Sequence, residues 1–383
     1  MAKITVPASD SIVRVRAVDT TLKLLCNTYP FLKPVIAGHE QINFSVIAFL
    51  VENKTLGKTA LFDVGGRKDY WNYSPSWIAR LRRSVVAIRC DKTIDEVLIE
   101  NGVDTKDIDA VIWSHWHFDH IGDCSKFPPT TRIVVGPGFK DSFLPGFPTN
   151  PEAFVMESDY KGHEMQEISF SDDFKIGPFR AYDFFGDNSF YILDVPGHAV
   201  GHICGLARTT PTTFMLFGGD ACHFGGAIRP SEHVPLPESL DAQGAGLDDR
   251  FSSPCPCSIF GACHPAPTEE EKRRTPYYTA SDHPGSAYVD AELANMSMKG
   301  LGEFDADPDM FLCLAHDSAL MEVLPLLNDK PDLDVNNWKE AGYKDMTRWR
   351  FLNELPKNNG ERGRPPLVTG FWRYGERKET FDG

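Results

Sequence analysis

Apolar and polar residues alternate with a period of two over positions 12–18, the pattern of a strand with one buried face. Short apolar runs follow at 44–51, 59–64, 110–113, 191–195, 214–217 and 310–315, each brief enough to be a buried strand. Helical spacing is confined to fewer places. Positions 93–101 place Ile94, Val97 and Leu98 on one face and stop at Gly102. Residues 289–298 and 319–326 predict two further short helices, and 338–355 a capping helix whose Trp349 and Phe351 meet the core. The Pro-, Gly- and Arg-rich stretch 357–366 predicts a mobile tail, and neither an internal repeat nor a low-complexity tract appears.

Composition narrows the class. The chain has 383 residues, 42% hydrophobic and 24% charged, enough for one large domain or two ordinary ones. A net charge of −15 with no basic stripe argues against a nucleic-acid partner. The longest apolar run, 44–51, is too short to span a bilayer, and the first twenty residues carry no basic-then-apolar leader pattern. The nine scattered cysteines fit a reducing compartment, so the expected location is the cytoplasm.

The chemistry is concentrated where the 110–113 run ends. His115, His117 and His120 with Asp119 lie within six residues, a crowding that suits neither a core nor a solvated surface. Imidazole and carboxylate together fit a first-row cation such as zinc, manganese or iron. Three later apolar runs end alike: 191–195 before Pro196-Gly197-His198, 214–217 before Gly218-Gly219-Asp220, and 310–315 before His316-Asp317. Loops at one edge of a rigid sheet are where sites are built, so these ends are expected to converge. Asp63, in an Asp-Val-Gly-Gly turn, reads either as a brace for the ligands or as a turn aspartate.

Other candidates carry less. Cys255, Cys257, Cys263 and His264 read either as a structural zinc site or as a plain loop anchoring a lid; the C-x-C spacing favours the loop. His202 is not expected to be a ligand, and His39, His163, His233 and His283 are expected on loops or the surface. Trp116 and Phe118 are expected to pack beside the site.

The ordered set His115-x-His117-x-Asp119-His120, Pro196-Gly197-His198, Gly219-Asp220 and Ala315-His316-Asp317 resembles the ligand motifs of the metallo-β-lactamase superfamily. The lead-in 107–112 and the Asp63-Val64-Gly65 turn match it as well. The resemblance implies an α/β fold, an αββα sandwich, with two metals at one sheet edge. It places the catalytic domain at 1–325, with a lid-like insertion at 224–300 and a helical extension and mobile tail at 326–383. It also implies that His115, His117 and His198 hold one ion, that Asp119, His120 and His316 hold the other, and that Asp220 bridges them.

Asp119 and the bridging Asp220 resemble the lactonase and glyoxalase-II branches, where true β-lactamases carry a cysteine. The 22-residue step from His198 to Asp220 resembles the quorum-quenching lactonases. Those enzymes place a tyrosine three residues beyond the bridging aspartate, where this chain has His223. His223 then reads either as a donor to the tetrahedral oxyanion or as a histidine of the site wall. The long insertion and the 338–349 tail are similar to fungal lactam and lactone hydrolases, including the γ-lactamases of benzoxazolinone detoxification.

The expectation is therefore a dinuclear hydrolase, most simply with zinc, opening a small cyclic lactam, carbamate or lactone. In it Asp119 passes a proton from nucleophile to leaving group. The rivals are a thioesterase of the glyoxalase-II or polyketide-release type, a mononuclear iron persulfide dioxygenase, and a non-catalytic scaffold. A flavin-linked di-iron protein would need a partner domain for which the region after His316 is too short.

Overall fold

The computed structural model describes residues 3–357 and 359–382. Two mixed sheets stack face to face. The larger has nine strands in the order Glu376–Lys378, Phe371–Arg373, Val85–Cys90, Arg14–Asn27, Gln41–Asn53, Lys58–Phe62, Ala110–Ile112, Arg132–Val135 and Met165–Glu167. The smaller has six: Met310–Cys313, Phe214–Phe217, Ile203–Arg208, Phe190–Asp194, Phe179–Asp183 and Lys175–Ile176. Side chains alternate across each strand, so one set fills the space between the sheets. Val15, Ile47, Phe49, Phe62 and Ile112 meet Phe190, Ile192, Met215, Phe217 and Phe311 there, all buried. The Phe49 and Phe217 rings stack across the gap at 4.1 Å. Burying a side chain of this size stabilises by roughly 1.5–3 kcal/mol.

The opposite faces are covered by helices, completing an αββα sandwich of the α/β class. Pro75–Ser84 starts with proline in its first turn, and the Ser74 hydroxyl accepts from the Trp77 amide at 3.4 Å. Ile94–Glu100 starts with a Thr93/Glu96 capping box and has acidic residues in its first turn. Trp77, Leu81, Val97 and Leu98 pack under the larger sheet, and Met298, Leu301 and Phe304 of Ala291–Ala306 under the smaller.

Strand direction explains where the motifs meet. Lys58–Phe62, Ala110–Ile112 and Arg132–Val135 run parallel, so Asp63 and the His115 segment leave the same sheet edge. In the other sheet Phe214–Phe217 is parallel to Met310–Cys313, and two antiparallel steps bring Phe190–Asp194 into the same direction. Their exits, carrying Asp220, His316 and His198, therefore lie at one end. Backbone bonds stitch the sheets at that end, from the Ile203 amide to Ser114 O at 2.8 Å and from the Ile47 amide to Ala315 O at 3.1 Å.

The expected lid and extension differ from what is observed. The predicted helix 289–298 is Ala291–Ala306, a layer of the sandwich, which leaves 224–290 as the insertion. That insertion holds short elements only, among them the ribbon Ser239–Leu240 with Cys255–Pro256, and Thr279–Ala280 pairs with Leu32–Lys33. Residues 338–355 form Tyr343–Arg348 and the 3-10 turn Arg350–Asn353 rather than one helix, because Gly342 breaks the path at φ 71°.

The tail is built in. Trp338 lies in the inter-sheet core and donates to Thr209 Oγ1 at 3.2 Å. Arg364 pairs with Asp248 and Glu322, and Asn43 holds Pro365 O and the Leu367 amide. Phe371–Arg373 then joins the open edge of Val85–Cys90, and the Arg89 guanidinium lies 4.2 Å over the Trp372 ring. Residue 358, within the stretch expected to be mobile, lies outside the described residues. Among the described residues no helix is long and apolar enough to cross a membrane.

Candidate metal centre

The site begins with the turns that deliver it. Gly197 sits at φ 119°, and a Cβ there would lie 2.3 Å from the Ala294 amide nitrogen, so only glycine lets the His198 turn rest on its helix. Gly219 sits at φ 49°, where a Cβ would lie 2.9 Å from His202 Nε2. His117 precedes the single turn Phe118–Ile121, which carries Asp119 and His120 inward.

Three ring nitrogens converge: His198 Nε2 lies 3.0 Å from His117 Nδ1 and 3.1 Å from His115 Nε2. Burial holds all three imidazoles well below their ordinary range, so they are neutral and point lone pairs at one another. Such an arrangement needs a cation at its centre, and the spacing suits donors about 2 Å from an ion. Asp220 Oδ2 lies 3.6 Å from both His115 Nε2 and His198 Nε2. Its Oδ1 faces the other way, 3.1 Å from His120 Nε2 and 3.1 Å from His316 Nε2. Asp119 Oδ2 lies 3.6 Å from His316 Nε2. Three overlapping groups of metal-competent atoms, His115/His117/His198/Asp220, Asp119/His120/His316 and Asp220/His223/His316, thus surround one carboxylate, and the donor chemistry fits two divalent ions. His117 Nε2, His198 Nδ1 and Asp220 Oδ1 are buried without hydrogen-bond partners.

The far sides of the rings are fixed. His120 Nδ1 donates to Asp63 Oδ2 at 2.8 Å, and Asp63 also accepts from the Ser114 amide and hydroxyl at 2.8 and 2.9 Å. The Ser114 hydroxyl oxygen in turn accepts from His115 Nδ1 at 3.0 Å. His316 Nδ1 donates to Ser45 O at 3.0 Å. Each bond sets a tautomer that leaves Nε2 free as a donor atom for a metal. Both readings of Asp63 therefore apply, since it turns the chain at φ 61° and braces the cluster. Burial works against the charge on His120, yet Asp220, Asp63 and Asp119 raise it. Burial likewise opposes the charge on Asp220, yet His120, His316 and His223 hold its carboxyl well below the usual range.

The structure brings together all eight candidate residues. His223 Nε2 lies 3.1 Å from Asp220 Oδ2, and its Nδ1 lies 2.7 Å from the Tyr288 hydroxyl, which the insertion supplies. His202 is adjacent but committed: its Nδ1 donates to Val195 O at 2.9 Å and its Nε2 accepts from the Asp220 amide at 3.1 Å. It positions the shared carboxylate from behind. Trp116 packs on Trp77 and Phe154, and Phe118 on Tyr73 and Trp77. His39 meets its expectation in part. It lies on a loop, as one of the two expected placements, but fully buried against Phe224 rather than at the surface, with Nδ1 2.6 Å from the Tyr278 hydroxyl.

Ser114, Tyr288 and Arg80 escaped the sequence reading. A polar residue directly before the first ligand is a usable signal for Ser114. Nothing in local pattern marks the other two. The Cys255 group does not gather as a metal site, because His264 Nε2 donates to Thr275 O at 2.8 Å and Nδ1 accepts from the Ala266 amide at 3.1 Å. Beside the His/Asp cluster lies a narrow cavity of about 50 Å³ whose walls include Phe31, Phe44, Trp77 and Arg80.

Sandwich, motif order and shared carboxylate define a class. Residues 43–255 match the Metallo-beta-lactamase superfamily, and the chain belongs to that superfamily. It is a metal-dependent hydrolase with His/Asp clusters for a dinuclear site. It is 38% identical over 361 residues to Gamma-lactamase FDB1 of Fusarium pseudograminearum, across 92% of this chain and 84% of that protein. It is 45% identical over 245 residues to Gamma-lactamase MBL2 of Gibberella moniliformis, across 63% of this chain and 99% of that protein. Among solved structures, a mutant of B. thuringiensis AiiA with N-decanoyl-L-homoserine bound superposes with a TM-score of 0.54. That match covers 82% of this chain and 98% of the other at 16% identity, a likeness of fold.

Proposed function

We propose that the protein opens a small cyclic lactam, carbamate or lactone, with zinc as the first-choice metal and manganese or iron(II) as substitutes. The observation that carries the reading is Asp220, whose Oδ2 faces His115 and His198 and whose Oδ1 faces His120, with His316 Nε2 3.1 Å from Oδ1 and 3.3 Å from Oδ2. His115, His117 and His198 would hold one ion, Asp119, His120 and His316 the other, with Asp220 between them. Bound there, two divalent ions supply a water that ionises near neutral pH and an electrophile for the carbonyl oxygen.

The chain's own groups do the rest. The Asp119 carboxylate, on the cavity wall, accepts the proton of the nucleophile and returns it to the leaving nitrogen or oxygen. An amide needs this more than an ester, because an amine departs poorly without its proton. His223, oriented by Tyr288, donates from Nε2 beside the reacting carbonyl and supports the developing oxyanion. The apolar walls keep bulk water from the ring being opened. Nine unpaired cysteines suit a reducing interior, so we place the enzyme in the cytoplasm, acting on xenobiotic cyclic amides such as benzoxazolinone.

The test compares initial rates of zinc- and manganese-loaded protein on benzoxazolinone, an acyl-homoserine lactone and an S-acyl glutathione, each with a chelator control. Turnover of the cyclic substrates, abolished by chelation, is expected. Cleavage of the thioester alone would move the function to acyl-thioester release and end this reading. Among the described residues Arg80 is the only lysine or arginine on the cavity wall, whereas a phosphorylated or glutathione carrier calls for a basic patch.

A further inference from the structure

Arg80 has no role in the chemistry described so far, yet it faces the reacting groups. The helix Pro75–Ser84 turns Trp77, Arg80, Leu81 and Ser84 toward the cavity, a spacing of three, four and seven residues that makes one helix face a wall. The same cavity is lined by His117, Asp119, Asp220 and His316. Phe31 and Phe44, edge to face at 5.0 Å, line the same cavity, so its walls beside the cluster are largely apolar and aromatic.

A guanidinium has five N–H donors and cannot shed its charge. Arg80 uses one of them, Nη2 to Ser286 O at 3.4 Å, and makes no ion pair among the described residues. Its Cζ lies 5.8 Å from the Trp77 ring centre and 5.9 Å from that of Trp116, contacts that orient the group without satisfying its donors. The exposed Arg83 on the same helix likewise makes no ion pair among the described residues, but it lines no part of the cavity, and other arginines nearby are paired. Arg82 is paired with Asp382, and Arg67 with Asp69 and Asp159. A chain with a net charge of −15 has carboxylates to spare, and none is spent here.

We infer that Arg80 is a specificity-determining residue that receives an anionic oxygen of the substrate, a carboxylate or ionised phenol carried away from the scissile carbonyl. This rests on the cyclic amide or ester reading and narrows its substrate class: a flat ring body between Phe31, Phe44 and Trp77, reacting at the cluster and anchored by charge at Arg80. A fork-shaped donor meeting a planar oxyanion gives both attraction and orientation, and the apolar walls strengthen it.

The experiment uses a matched pair, phthalide and its 5-carboxylate, with metal-loaded wild type, Arg80→Gln and Arg80→Lys. Wild type is expected to prefer the carboxylate by about 10- to 100-fold in kcat/KM, mostly through KM, and Arg80→Gln to collapse that ratio toward one. Arg80→Lys should keep part of it, since charge survives while the fork is lost. A ratio unchanged in Arg80→Gln would overturn the assignment. So would an equal loss on both lactones with a lowered melting temperature, the mark of a latch on Ser286. If neither lactone turns over, the cyclic-substrate reading has failed, and calorimetric titration of the same two compounds still decides on Arg80. Binding of the carboxylate that disappears in Arg80→Gln supports the inference, and binding indifferent to the substitution sinks it.

Discussion

Two groups of metal-ligand residue types exist in this chain, and only one is built for metal. In the His/Asp cluster the inward nitrogens have no protein donor to meet: three lone pairs face one another at 3.0–3.1 Å while the outward nitrogens are tied to Ser114, Asp63 and Ser45 O. In the insertion, His264 spends both nitrogens on backbone groups, and Cys257 and Cys263 donate to the carbonyls of Cys255 and Phe260. Residue type is shared, but the second partner of each ring differs. A cation is needed where polar atoms are left facing each other, and it has no work where the backbone has already satisfied them.

The largest blow to that contrast should come from Asp220→Ala. Removing the carboxylate at the centre of the His/Asp cluster is expected to lower kcat by about 1,000-fold or more while the circular dichroism spectrum stays native. Retained activity would sink the two-ion reading. Next is Asp63→Asn, which suits the left-handed backbone at φ 61° but replaces the charged acceptor of His120. Metal affinity, read by competition with a chromogenic chelator, should weaken by roughly 10- to 100-fold.

His39 sharpens the comparison from another side, as a buried imidazole with one partner and no neighbouring ligands. Burial holds it down to about 3 from an ordinary 6.5, so the unfolded chain takes up the proton first as pH falls. Its contribution is complete above pH 6.5 and is lost toward pH 3, at up to about 1.4 kcal/mol per pH unit. Urea midpoints measured across this range should fall less steeply in His39→Gln than in wild type. The smallest effect is expected from Cys257→Ser. Zinc content by mass spectrometry should stay near two ions per chain, and loss of one ion would restore the insertion as a metal site.

The sequence was informative where chemistry is local. Four apolar runs ending in His or Asp announced the sheet edge, because a strand's exit carries its functional side chain only a few residues away. What was hidden depends on partners far along the chain. Tyr288 reaches His223 from the insertion, and Arg80 enters the cavity from the helix Pro75–Ser84, which was not among the expected helices. The tail looked mobile because 357–366 is rich in proline, glycine and arginine, whereas Arg364 finds Asp248 and Glu322 far along the chain. His39 shows the same blindness: a loop histidine after a Pro-rich stretch gives no hint that Phe224 and Tyr278 will enclose it. Strands of three residues, such as Phe371–Arg373, are too short for any periodicity to register.

That last strand bears on how the protein is made. Val85–Cys90 begins Val-Val-Ala-Ile, and among the described residues its outer edge is closed only by Phe371–Arg373 and the strand beyond it. Translation proceeds from the N-terminus, so the edge emerges roughly 280 residues before its cover and stands open for tens of seconds. A nascent chain stalled in that interval offers unpaired amides and carbonyls to any neighbour on the same messenger. Faster elongation shortens that interval, so association of nascent chains through this edge is expected to fall as the final hairpin arrives sooner.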